Sequence, residues 1–74
     1  MNEEIIQKAH EQALDDIRRC VHKKDRNERV AICCYWSSDQ SFTTYIVSVN
    51  DLVEMLYDRP DELNYIISVS YETI

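Results

Sequence analysis

The 74-residue chain contains no glycine and one proline, Pro60. Its tight turns therefore have to be made from residues such as serine and aspartate, whose side chains hydrogen-bond to the nearby backbone. No apolar run approaches the roughly 18 residues of a membrane-crossing helix. No signal-peptide pattern is present, and the three cysteines form no Cys-x-x-Cys unit. The expectation is a soluble, cytoplasmic protein in a reducing compartment. Cys33 and Cys34 are adjacent. On a strand their side chains point to opposite faces, so they do not form an ordinary disulfide with each other.

Positive charge is missing from the second half of the chain. Residues 1 to 36 carry seven acids and seven bases, while residues 37 to 74 carry seven acids and only Arg59, so the whole net charge of −6 lies late in the sequence. Such a surface repels nucleic acid and anionic membrane, and attracts a basic protein.

Motifs that would identify a reaction are also missing. His10 and His22 are twelve residues apart, not the four that place two ligands on one helical face, and Cys20 and His22 point to different sides of their helix. Nothing places a base beside a cysteine to activate it as a nucleophile. The expectation is a protein with no catalytic residue, no bound metal and no cofactor.

What the chain does contain is a strong β-hairpin signal. Arg29 to Trp36 and Ser41 to Val49 are rich in β-branched and aromatic residues and are separated by Ser-Ser-Asp-Gln. The first run is apolar on both faces, with Val30, Ile32, Cys34 and Trp36 on one side and Ala31, Cys33 and Tyr35 on the other, as suits a central strand. A four-residue loop pairs Trp36 with Ser41 and Ile32 with Tyr45. A five-residue loop pairs Trp36 with Phe42 and Ile32 with Ile46, and this choice decides whether Phe42 and Ile46 are core or surface.

Two helices flank the hairpin. Over residues 3 to 24, Ile6, Ala9, Ala13, Ile17, Cys20 and Val21, with Ile5 and Leu14 beside them, recur at spacings of three and four and form one apolar stripe. Asn2 is the expected N-cap. The second helix begins near Ser48, where Asp51 completes a capping box, and it stops at Asp58-Arg59-Pro60. A last strand is expected over 64 to 71, with Tyr65, Ile67, Val69 and Tyr71 on one face, Asn64, Ser68 and Ser70 on the other, and Ile66 out of phase. The order α-β-β-α-β predicts one α+β domain spanning 1 to 74, with a three-stranded antiparallel sheet in the order 2-1-3 and both helices on one face.

Two groups are candidates for partner binding. Asp51, Glu54 and Asp58 share a face of the second helix, and Asp61 and Glu62 extend them past Pro60 into a negative ridge with only Arg59 nearby. Tyr35, Phe42 and Ile46 are the candidates for self-association through an uncovered sheet face. Aromatic residues on a sheet also occur in single-stranded RNA binding, but that needs interleaved bases, which are absent here.

In its small size, acidity and lack of catalytic motifs, the chain resembles in type the phage-encoded proteins that disable host nucleic-acid machinery, such as anti-CRISPR and anti-restriction inhibitors. The resemblance rests on no shared motif and assigns no residue a role. It implies a protein that binds the basic surface of a nucleic-acid-handling partner, contacting neither nucleic acid nor membrane itself. The alternative is a structural or regulatory module that forms a homodimer through its sheet.

Overall fold

The computed structural model describes residues 3–71, so the expected N-cap Asn2 lies outside the described residues. The elements run α1 (Glu3–Lys23), β1 (Arg29–Trp36), β2 (Ser41–Ser48), α2 (Val49–Tyr57), a 3₁₀ helix (Pro60–Tyr65) and β3 (Ile66–Tyr71). The strands form one antiparallel sheet in the order β2-β1-β3, with the doubly apolar β1 in the centre. Both helices pack on the face presented by Val30, Ile32 and Cys34. Overall extents of 34 × 27 × 17 Å fit one sheet layer and one helix layer. Among the described residues no helix is long and apolar enough to cross a membrane.

The apolar stripe of α1 forms one side of the core through Ala13, Ile17 and Cys20, while Ile5, at its edge, is exposed. Leu52 and Met55 of α2 and Leu63 of the 3₁₀ helix close the same core. α1 lies chiefly over β3. The two are also joined by a hydrogen bond in which His10 Nδ1 lies 3.0 Å from the Ile66 carbonyl oxygen. A carbonyl can only accept, so the Nδ1 position carries the hydrogen.

The hairpin adopts the four-residue loop, with Trp36 opposite Ser41 and Ile32 opposite Tyr45. Without glycine, Gln40 takes the left-handed backbone conformation that ends the turn, at φ 56°. The Ser41 hydroxyl donates to the Asp39 carboxylate across the same turn.

The last strand differs from the sequence reading. It begins at Ile66 rather than Asn64, because residues 60 to 65 form the 3₁₀ helix, and Tyr65 is therefore not a strand residue. Cys33 pairs with Ser68 but Cys34 pairs with Ile66, leaving Ile67 as the extra residue of a β-bulge. The bulge explains why Ile66 breaks the alternation: it turns into the core beside Val69, and Ile67 falls out of phase with Val69 instead of sharing its face.

Candidate functional site

The N-terminus of α2 is fully capped. Asp51 N–H donates to Ser48 Oγ (3.1 Å), and Ser48 N–H donates back to Asp51 Oδ2 (3.0 Å), which is the expected capping box. Val49 N–H donates to the Glu28 carbonyl and Asn50 N–H to that of Arg26, both from the α1–β1 connection. All four N–H groups that a helix start leaves without an intrahelical partner are thus used. The Asp51 carboxylate is committed to this cap and is half-buried, so it contributes to the ridge mainly as background charge.

The other four ridge acids are exposed. Arg59 stands between two of them, with Nη2 3.5 Å from Glu54 Oε2 and Nε 3.5 Å from Glu62 Oε2. Exposed pairs of this length are worth about 0–1 kcal/mol and open readily. Asp58 caps the C-terminus of α2 through its backbone N–H, leaving its carboxylate to solvent, and Asp61 follows Pro60 in the first turn of the 3₁₀ helix. Tyr57, 78% exposed, stands beside them. Three of the seven bases in the first half of the chain have an acid of that half as a partner: Arg18 with Asp15, Arg19 with Asp16, and Lys24 with Glu28.

The sheet face away from the helices carries Ala31, Cys33 and Tyr35 of β1 with Phe42, Thr44 and Ile46 of β2. Tyr35 and Phe42 lie directly opposite each other, with ring centroids 5.1 Å apart. Phe42 is 48% and Ile46 51% exposed. The structure therefore places all three candidate self-association residues on one open face.

One feature escapes a linear reading of the sequence. The four-residue register turns Ser41, Thr43, Tyr45 and Val47 toward the helices. A groove of about 430 Å³ lies on that side, with Ile32, Cys34, Met55 and Ile66 among its floor residues and Trp36, Tyr45, Tyr65 and Glu62 around its sides. Trp36 is held by a hydrogen bond from its indole N–H to Thr43 Oγ1 (2.9 Å) and by the Tyr65 ring, 4.9 Å away between centroids.

The cysteines are three free thiols. Burial pushes the Cys20 thiol up from its ordinary pKa, with Lys24 partly opposing the shift, and burial aided by neighbouring Cys33 does the same for Cys34. Both shifts disfavour the thiolate, the opposite of what a nucleophile needs. Among the described residues no three histidine, cysteine, aspartate or glutamate side chains gather as a metal site would require.

Compared with models of protein families, with curated proteins and with solved structures, the chain matches none of them.

Proposed function

We propose that the protein is an acidic interaction module that binds the basic surface of a nucleic-acid-handling protein and blocks it, in the manner of anti-CRISPR and anti-restriction inhibitors. One observation carries this reading: Glu54, Asp58, Asp61 and Glu62 are all exposed, and Arg59 is the one base in the segment from Glu54 to Glu62. Such a segment attracts a cationic surface and speeds encounter with it, and opening the weak Arg59 pairs costs little. The decisive experiment is affinity capture from a nuclease-treated lysate of the native host, eluted with a salt gradient. Recovery of a basic nucleic-acid enzyme that elutes as salt rises supports inhibition. Recovery of partners whose retention is independent of salt removes the ridge from the argument.

A second reading, self-association through the sheet, is supported by the outward placement of Phe42 and Ile46. Leaving an apolar side chain of this size in water forgoes up to about 1.5–3 kcal/mol relative to burying it. The alternative hairpin register would have turned both inward. A second copy covering this face would recover part of that energy.

A further inference from the structure

We propose that the groove between β2, α2 and the 3₁₀ helix receives an apolar anchor side chain from a basic segment of the partner protein, an inference that rests on the acidic-module reading above and specifies its contact. The groove is apolar along its floor, and at about 430 Å³ it falls within the size of pockets that bury a compact ligand. Tyr45 and Tyr65 stand at its sides at 44% and 47% exposure, each with an apolar ring and a hydroxyl. Rings of this kind are favoured as contact surfaces because they are amphipathic and rigid.

Charge determines what kind of segment fits. Glu62 is the one charged residue lining the groove. β2 carries no charge, while Met55 and Glu62 line the groove from a segment, residues 51 to 62, that also carries Asp51, Glu54, Asp58 and Asp61 with Arg59 as its one base. An apolar side chain flanked by lysine or arginine therefore gains burial in the groove and attraction at its border. A second copy of the chain would bring the same acids to the same border, so like charge opposes it as an occupant. Among the described residues the ion-pair partner of Glu62 is Arg59 at 3.5 Å, and an incoming cation can replace it.

The test uses the unaltered protein and three labelled synthetic peptides: a lysine-serine peptide with a central leucine, the same peptide with a central alanine, and the leucine peptide with glutamine in place of every lysine. Affinity is read by fluorescence polarisation and the contact by the NMR shift of the Trp36 indole N–H. Burial of leucine predicts that the basic leucine peptide binds roughly ten to a hundred times more tightly than the alanine peptide. It alone should move the indole signal. Tyr45→Ala, a change at a half-exposed edge-strand position, should reduce that ratio toward one without weakening the alanine peptide. Equal binding of the two basic peptides leaves the ridge standing and overturns the groove. If the glutamine-leucine peptide binds as well as the lysine-leucine one, the groove is an apolar site in which the acids take no part, and the proposal also falls. Binding by none of the three removes both readings.

Discussion

The indole N–H of Trp36 donates to Thr43 Oγ1 over 2.9 Å, joining the last residue of β1 to the helix-facing side of β2. This bond fixes the side chain that forms one wall of the groove, and Tyr65 rests against the same ring. Thr43→Val keeps the shape and removes the acceptor. It is expected to cost about 1 kcal/mol, the net worth of a hydrogen bond in a partly buried setting. Trp36 is the only tryptophan in the chain, so its emission reports the loss directly. Urea unfolding followed by this fluorescence should show a lower midpoint with an unchanged slope.

The turn at Gln40 tests the absence of glycine. Gln40 occupies the left-handed region at φ 56°, where a side-chain-bearing residue pays a steric cost of about 1–2 kcal/mol. Gln40→Gly removes that cost and adds about 0.5–1 kcal/mol of chain entropy to lose. The expected net is a gain of up to about 1.5 kcal/mol, seen as a higher melting temperature. Gln40→Val, β-branched at the same position, should lower it.

Asp51 and its neighbours on the ridge separate structural from surface charge. Asp51→Ala breaks the capping box and is expected to cost about 1 kcal/mol of stability. Asp58→Asn and Asp61→Asn remove exposed carboxylates and should leave stability within about 0.5 kcal/mol. If the ridge is the binding surface, charge reversal at Glu54, Asp58 and Asp61 abolishes partner capture while the circular dichroism spectrum stays native. Asp51 is best left out of such a set, because its loss confuses folding with binding.

The thiols make stability depend on alkaline pH. Cys20 and Cys34 have pKa values raised by burial, so the unfolded chain gives up these protons at lower pH than the folded one. Their contribution is complete below the ordinary thiol value of 9.0 and is lost as pH rises from there through the folded values. The urea midpoint should therefore fall as pH rises above about 9, and fall less in Cys20→Ala. The half-buried Cys33 should react first with an alkylating reagent, with Cys20 and Cys34 following only on unfolding.

The elements that local chemistry specifies could be read from the sequence, and those set by long-range contacts could not. The Ser48-Asp51 capping box and Pro60 delimit α2 because both act within a few residues. The doubly apolar β1 identifies itself as the central strand, which fixes the 2-1-3 order. The hairpin register stayed open because composition alone does not distinguish a loop of four polar residues from one of five; the structure has four. The 3₁₀ helix and the bulge at Ile67 left a single trace, the out-of-phase Ile66, which a linear alternation treats as an exception. At the candidate site, Asp51 and Glu54 lie on α2, while Asp58 is its C-cap rather than a residue of the helix. Sequence spacing could not reveal that Asp51 is spent on a cap or that Arg59 bridges Glu54 and Glu62.

The open sheet face supplies the last prediction. β2 is an edge strand with no charged residue, no proline and an unbroken register with β1, so it lacks the usual features that block pairing with another chain. Phe42 and Ile46 project from it beside Tyr35. If two copies associate there, sedimentation should show a dimer whose population rises with protein concentration and is insensitive to added salt. Placing charges in that contact should then be enough to undo it: Phe42→Lys with Ile46→Lys is expected to yield a monomer that remains folded, because neither side chain belongs to the core. Thr44→Lys, between them on the same face, should weaken the dimer by itself. A monomer at every concentration in the unaltered protein would leave Phe42 and Ile46 to be explained by contact with a different chain.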